Sequence, residues 1–72
     1  GAEEEAVARL DRAIAQLPTQ LKEPLLLTAF EGMSHDEAAA ALGVTSKAIE
    51  TRVYRARKTL ATILNAEGSD DD

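Results

Sequence analysis

The chain has 72 residues, enough for one small domain whose hydrophobic core lies near the lower limit for unassisted folding, and we expect it to be a fragment of a larger protein. It has no cysteine and a single histidine, which excludes disulfides, thiolate metal sites and multi-histidine sites, and no apolar run approaches the roughly 20 residues of a membrane span. The formal net charge of −5 disfavours nucleic-acid binding unless the positive charges are concentrated in one segment. We expect a soluble, cytoplasmic protein with no cofactor, no metal and no membrane partner.

Two amphipathic helices are predicted in the first half of the chain. Apolar residues recur at spacings of three and four, so the first helix spans Glu3 to about Gln16 and ends before Pro18. Thr19 is the candidate N-cap of the second helix. Pro24 either lies in a tight first turn or breaks this helix, in which case the helix begins near Pro24. The buried face of the second helix is predicted to contain Leu21, Leu25, Leu26, Ala29, Phe30 and Met33.

Residues 34–58 indicate two capped helices around a short turn. Ser34 and Glu37 are spaced as a capping box, in which each side chain accepts a hydrogen bond from the backbone amide of the other residue. A run of alanines follows, and Gly43 supplies the left-handed residue that ends this helix. Either Thr45 or Ser46 caps the next helix. The pattern is typical of a helix-turn-helix.

The last helix combines an apolar stripe with a basic face. The stripe, at spacings of three and four, consists of Ile49, Val53, Ala56, Leu60, Ile63 and Leu64. Away from it lie Lys47, Thr51, Tyr54, Arg55 and Lys58. Residues 46–62 carry five cations and one carboxylate, a net charge of +4, whereas both ends of the chain are acidic. Such a helix has the chemistry to lie in a DNA major groove, with weak and salt-sensitive binding by the isolated domain.

These segments predict an all-α fold. Residues 1–64 are expected to form a compact four-helix domain that contains a helix-turn-helix, a winged-helix-like three-helix DNA-binding core without a wing. Residues 65–72 are polar and acidic, with too little apolar surface to order themselves, and are predicted to be a disordered tail.

Several short motifs, in a fixed order, resemble one known family. They are LP at 17–18, LLL at 25–27, FEGMS at 30–34, Glu37, Ala39, LGV at 42–44 and TRVYRAR at 51–57. Over residues 14–64 the chain is similar to region 4 of bacterial sigma factors of the sigma-70 family, most closely the extracytoplasmic-function group. The resemblance implies the C-terminal domain of a sigma subunit, which binds core RNA polymerase at the β-subunit flap and reads the −35 promoter element through its last helix. It also implies an anti-sigma factor as a partner, and we expect the isolated domain to be a monomer.

The resemblance assigns particular residues to double-stranded promoter DNA. The family's groove-facing positions, expected to read bases, fall on Ser46, Lys47, Glu50, Thr51, Tyr54 and Arg55. Contacts with backbone phosphates are expected from Ser34, His35, Asp36, Arg52 and Lys58. Arg55 is expected to pair with guanine N7 and O6, and Asp36 to act mainly through its amide at the helix N-terminus.

Three residues of the basic helix have competing interpretations. Glu50 stands where many relatives have Lys or Arg, and it can accept a hydrogen bond from a cytosine N4 amino group. It can instead pair with Arg57, Lys47 or Tyr54 and only orient the helix surface. Tyr54 either packs against the domain or contacts DNA, and Arg57 contacts either the first helices or a phosphate.

Two alternative functions remain open, and neither is enzymatic. A sigma-like domain that binds only protein, such as an anti-sigma factor, is favoured by Glu50 and the acidic ends but opposed by Lys47, Arg55 and Lys58. The DNA-binding domain of a two-component response regulator has a similar helix arrangement, but the LP-to-EGMS junction and the RxxRAR ending favour the sigma factor. No nucleophile arrangement, metal cluster or phosphate loop can be found in the sequence, so no catalytic residue is predicted.

Overall fold

Four α-helices account for most of residues 1–68, the part of the chain that the computed structural model describes. The helices are α1 (Ala2–Ala15), α2 (Thr19–Leu25), α3 (His35–Leu42) and α4 (Ser46–Gly68), and a π-helical turn at Leu26–Phe30 continues α2. Residues 1–68 contain no β-strand, and the predicted all-α, four-helix class with a helix-turn-helix is confirmed. Within the same residues, no helix combines the length and the apolarity needed to cross a lipid bilayer.

The bounds of α1 lie within one residue of the prediction. Its C-terminus is closed where the amide of Leu17 donates to the carbonyl of Ile14 at 3.0 Å, one residue before Pro18. Residues 2–7 are all exposed, because the start of α1 extends beyond the core, and partial burial begins at Ala8. Val7 is therefore 57% exposed, although it matches the apolar spacing.

The predicted start of the second helix is wrong. Pro18, rather than Thr19, is the N-cap of α2, and its carbonyl accepts hydrogen bonds from the amides of Leu21 and Lys22 at 2.9 and 2.8 Å. Pro24 lies inside the helix, neither in its first turn nor at a break. Its ring is fully buried in the core, and this apolar burial offsets the loss of one helical hydrogen bond.

The helix widens directly after Pro24. The hydroxyl of Thr28 donates to the carbonyl of Pro24 at 2.9 Å, so a side-chain donor occupies an acceptor of the preceding turn. The amide of Glu31 then donates to the carbonyl of Leu26, five residues back, at 3.0 Å. The wider turn changes the direction of the side chains that follow, and Phe30, which was predicted to be buried, is 60% exposed.

The hydrophobic core is built around α4, which packs against α1, α2 and α3. Alanines occupy three of the most buried positions and let the helix axes approach closely. The buried apolar residues are Ala13, Ile14, Leu17, Leu25, Ala38, Ala39, Ile49, Val53 and Ala56.

The last helix extends beyond the predicted domain boundary at Leu64. Residues 65–67 are Asn, Ala and Glu, and the high helix propensity of Ala and Glu favours continuation to Gly68. The guanidinium of Arg9 also donates to the carbonyl of Leu64 at 3.5 Å, which ties this end of α4 to α1. The helix thus includes residues 65–68 of the segment predicted to be a disordered tail, and residues 69–72 of that segment lie outside the described residues, so disorder of the tail stays a prediction.

We expect Ile49→Ala to destabilise the domain strongly. The side chain of Ile49 is 0% exposed, and large-to-small changes in a core typically cost about 2 to 5 kcal/mol. A domain of this size has a total stability of roughly 4 to 11 kcal/mol, so the loss is a large part of it. Val7→Ala is the matched control, since it removes a β-branched side chain from an exposed helical position. Thermal unfolding followed by circular dichroism should show a large loss for Ile49→Ala only, and equal melting temperatures for the two variants would contradict the burial of Ile49.

Replacing the turn glycine should cost stability through the backbone alone. Gly43 has φ of 70°, and an added Cβ would meet no atom within 4 Å. Gly43→Ala is therefore expected to cost roughly 1 kcal/mol, the strain of a left-handed residue. Gly43→Asn should cost less, because Asn adopts this conformation more readily. Equal losses for the two variants in urea unfolding would show that crowding or another effect, rather than backbone conformation, determines the cost.

Candidate nucleic-acid interface

The capping box predicted before α3 is present. The hydroxyl oxygen of Ser34 accepts from the amide of Glu37 at 3.0 Å, and the Glu37 carboxylate accepts from the amide of Ser34 at 2.8 Å. The helix ends at Gly43, which is left-handed as predicted. Both ends of α3 are therefore fixed by local interactions, which sets the length of the first helix of the helix-turn-helix.

Thr45 caps α4. Its hydroxyl oxygen accepts from the amide of Ala48 at 3.0 Å, and its carbonyl accepts from the amide of Ile49 at 3.1 Å. Of the two predicted caps, Thr45 is thus the one found, and Ser46 is the first residue of the helix. The hydroxyl of Ser46 is left available for another partner.

The orientation of α4 follows from its buried stripe. Ile49, Val53 and Ala56 face the core, and a helix with three fixed side chains has no freedom to rotate about its axis. The predicted base-reading residues on the opposite side, all exposed, are Lys47, Glu50, Tyr54 and Arg55. Thr51, on the same outer side, is half-buried, and so is Ser46, which lies closer to the buried stripe. Five of the six predicted base-reading residues therefore lie on the side of α4 away from the core, and Ser46 lies at its margin.

Two close pairs lie on this exposed surface. The ammonium of Lys47 lies 3.6 Å from the Glu50 carboxylate, with the two side chains 80% and 60% exposed. The ammonium of Lys58 lies 5.5 Å from the ring centroid of Tyr54, whose side chain is 62% exposed. Of the three partners considered for Glu50, Lys47 is the one found, and the exposure of Tyr54 argues against a packing role. Such exposed pairs contribute at most about 1 kcal/mol each, so a charged partner can separate them.

Arginines flank the exposed surface. Arg52 is half-buried and Arg57 is exposed, so Arg57 is not packed beneath the first helices. Together with the lysines and Arg55 they give residues 46–62 a net charge of +4 in a chain whose total is −5. The local positive field of α4 is therefore opposite in sign to the net charge of the chain.

The starts of α3 and α4 are joined by one side-chain hydrogen bond. The hydroxyl of Ser46 donates to the Oδ1 carboxylate oxygen of Asp36, ten residues earlier. Asp36 was predicted to act mainly through its amide, and no local pattern relates residues at this separation. The residue predicted to contact phosphate and the residue predicted to read a base are thus in direct contact.

The amides at the start of α3 remain candidates for a phosphate. The first backbone hydrogen bond of the helix runs from the amide of Ala38 to the carbonyl of Ser34 at 2.9 Å. The amides of His35 and Asp36 precede this bond and point out of the helix end, where the helix dipole favours an anion. Both residues are exposed.

A second surface lies on α2, the π-helical turn and α3. Leu26, Leu27 and Leu42 line a groove of about 210 Å³ with the acidic residues Glu23 and Glu31. The exposed ring of Phe30 belongs to the same π-helical turn. We name this surface the acidic-rimmed groove, and none of its lining residues belongs to α4. Sequence periodicity did not find it, because the groove combines residues of α2 and the π-helical turn with Leu42 of α3.

Comparisons with known proteins support one family. The family model described as "Sigma-70, region 4" matches residues 8–60. The chain is 48% identical over 71 residues to "RNA polymerase sigma factor NccH" of Alcaligenes xylosoxydans xylosoxydans. The aligned region covers 92% of this chain and 38% of that protein. It is 43% identical over 72 residues to "RNA polymerase sigma factor CnrH" of Cupriavidus metallidurans, and the aligned region covers 93% of this chain and 38% of that protein. It is 38% identical over 59 residues to "ECF RNA polymerase sigma factor EcfG" of Rhodopseudomonas palustris, with coverage of 82% and 33%.

The chain spans between 33% and 38% of the length of these curated relatives. No solved structure matched it. The family match includes the second half of α1, the whole helix-turn-helix and most of the basic surface of α4. On this evidence the chain belongs to the sigma-70 region 4 family, within the extracytoplasmic-function group of sigma factors.

Proposed function

We propose that this chain is the C-terminal DNA-binding domain of a sigma factor that reads the −35 promoter element and directs transcription initiation in the bacterial cytoplasm. The observation that carries the proposal is the outward basic surface of α4, held in place by a buried stripe and by caps on both helices of the helix-turn-helix. The sigma factors to which the chain is similar support this function over that of a response regulator. We propose no enzymatic activity, because the relatives are transcription initiation factors.

In this proposal α4 lies in the major groove of double-stranded DNA. Bases are read by Ser46, Lys47, Glu50, Thr51, Tyr54 and Arg55. The guanidinium of Arg55 is exposed and has the fork geometry for guanine N7 and O6. Glu50 accepts from a base amino group once Lys47 moves away from it to an acceptor on a base edge. The Lys47–Glu50 pair is exposed enough for this exchange to cost little.

Phosphates on either side of the groove are contacted by Ser34, His35, Asp36, Arg52 and Lys58. At the start of α3 the donors are the backbone amides and the hydroxyl hydrogen of Ser34, whose oxygen already caps the helix. Lys58 lies one turn after Tyr54, and its stacking on the ring directs the ammonium along the helix surface. These contacts fix the position of α4 and carry no base information themselves.

The first experiment is a fluorescence-anisotropy titration of this chain against labelled duplexes. The specific duplex is chosen by selection from a randomised library, and a scrambled duplex of the same composition is the control. Tighter binding of the selected duplex, weakening as salt is raised, supports a promoter reader. Failure of the folded domain to prefer any duplex, even at low salt, would reject the promoter-reading function.

Arg55→Ala and Lys58→Ala should affect binding in different ways. Arg55→Ala is expected to cost about 1 to 3 kcal/mol on the selected duplex and to relax base preference at one position. Lys58→Ala should weaken binding to all duplexes alike. It should also reduce the slope of log affinity against log salt concentration by about one, the value for one lost phosphate contact. Titrations of both variants with the selected and the scrambled duplex measure the loss of affinity on each. Parallel losses on the two duplexes for Arg55→Ala would remove this residue from the base-reading set.

We also propose that the acidic-rimmed groove binds the β-subunit flap of core RNA polymerase. Its apolar floor and the exposed Phe30 offer a helical segment a hydrophobic contact, and Glu23 and Glu31 favour basic flanks on that segment. An anti-sigma factor that covers the same groove would exclude the polymerase. The groove contains no residue of α4, so the domain can bind DNA and protein through different elements.

Phe30→Ala tests the groove. The variant is expected to weaken binding to core RNA polymerase by roughly tenfold, as is typical for an aromatic anchor at a protein interface. Affinity for the selected duplex and the melting temperature should not change, because the side chain is 60% exposed. Val7→Ala, which truncates a similarly exposed apolar residue of α1, is the control in biolayer interferometry with immobilised polymerase. Unchanged binding of Phe30→Ala to the polymerase would place the docking surface elsewhere.

A further inference from the structure

The hydrogen bond between Ser46 and Asp36 has a chemical consequence for base recognition. An ionised carboxylate can only accept hydrogen bonds, so the single hydroxyl hydrogen of Ser46 must point towards Asp36. A serine hydroxyl has one hydrogen and two lone pairs. The side of the Ser46 oxygen that faces away from Asp36 therefore presents lone pairs alone.

We infer that Asp36 is a positioning residue that restricts Ser46 to bases bearing an amino group, an inference that rests on the proposed placement of α4 in the major groove. A serine with a freely rotating hydroxyl pairs with either donors or acceptors on base edges. Ser46, with its hydrogen committed to Asp36, accepts only. In the major groove the donors are the N6 amino group of adenine and the N4 amino group of cytosine. Guanine and thymine at the same position present acceptors and would face the lone pairs of Ser46.

Glu50, the next residue on the same side of α4, also offers only hydrogen-bond acceptors. Glu50 lies one turn after Ser46 and is also restricted to accepting hydrogen bonds. The first two turns of α4 therefore place two acceptors in succession, whereas Arg55 and Lys58, further along, are donors. Ser46 and Glu50 select base amino groups, whereas the donors Lys47, Arg55 and Lys58 select acceptors on guanine or phosphate.

The carboxylate of Asp36 has two other effects that must be separated from this one. It joins the start of α3 to the start of α4 and so contributes to the stability of the helix-turn-helix. It is also an exposed negative charge close to the proposed DNA surface, and it lowers affinity for every duplex alike. Neither effect alters the preference between two bases at one position, so base preference is the informative measurement.

The test uses this chain and duplexes in which each base pair of the selected sequence is changed in turn. Ser46→Ala identifies the base that Ser46 reads. At that base the unmodified chain should favour the amino-bearing base by about three- to tenfold, the range expected for one hydrogen bond. Replacing adenine by purine, which lacks only the N6 amino group, should remove the preference without any change in the protein. If the selected base is cytosine, its replacement by 2-pyrimidinone, which lacks only the N4 amino group, serves the same purpose.

Variants of Asp36 separate the hydrogen bond from the charge. Asp36→Ala should abolish the preference at the Ser46 position, keep the preference at the Arg55 position and raise affinity for all duplexes. Asp36→Asn should raise affinity in the same way but retain the preference, because its amide oxygen can still accept from Ser46. In the Ser46→Ala background, Asp36→Ala should cause no further change in preference.

Each outcome bears on one claim. If Asp36→Ala keeps the preference at the Ser46 position, Asp36 acts only through its charge and the inference is overturned. If Ser46→Ala changes no base preference while the chain discriminates at other positions, the inference is overturned and the promoter-reading function stands. If the unmodified chain, folded by circular dichroism, binds all duplexes equally, the promoter-reading function fails and the inference fails with it.

Discussion

The burial of one stripe of α4 is the constraint on which the rest of the structure depends. Ile49, Val53 and Ala56 pack beneath the other three helices, and these three contacts fix the rotation of α4 about its axis. Because side chains follow a helix at a constant angular step, the direction of every other residue of α4 is then determined. The core and the candidate interface are thus two faces of the same helix. A substitution that loosened the core would also turn the basic surface away from its orientation.

The features that could be predicted from the sequence are those that depend on residues within one turn of each other. The capping box of Ser34 and Glu37 and the left-handed Gly43 were found as predicted, because each needs only its own backbone neighbours. The second helix was predicted less well. Burial of the Pro24 ring stabilises a helix that proline would otherwise interrupt, and the π-helical turn after it changes the angular spacing of the chain. A periodicity of 3.6 residues therefore placed Phe30 in the core, although it is exposed.

In the candidate interface, too, local features could be predicted from the sequence and features that depend on tertiary packing could not. The outward direction of Lys47, Glu50 and Arg55 follows from helical spacing, and the sequence was sufficient to predict it. The contact between Asp36 and Ser46 could not be predicted, because it depends on the angle at which α3 and α4 meet across the turn. That angle is set by packing between the helices, including Ala38 and Ala39 in α3, rather than by any local signal. Sequence spacing thus identifies which residues face outward, and tertiary packing determines which hydrogen-bond partners those residues have within the protein.

The charge distribution indicates how such a domain can be selective without binding DNA tightly. A net charge of −5 opposes approach to DNA as a whole, and only residues 46–62, with a net charge of +4, favour it. If α4 binds DNA as proposed, we therefore expect low non-specific affinity, and discrimination then depends on the few groups that touch base edges. The curated relatives are more than twice as long as this chain, so in a protein of that length the domain would be tethered to other binding elements. Tethering raises the effective concentration of a weak reader at its target without adding contacts of its own. On the proposed function, weak binding by the isolated domain is compatible with promoter recognition by the assembled protein, because the tether would supply affinity and α4 the choice of sequence.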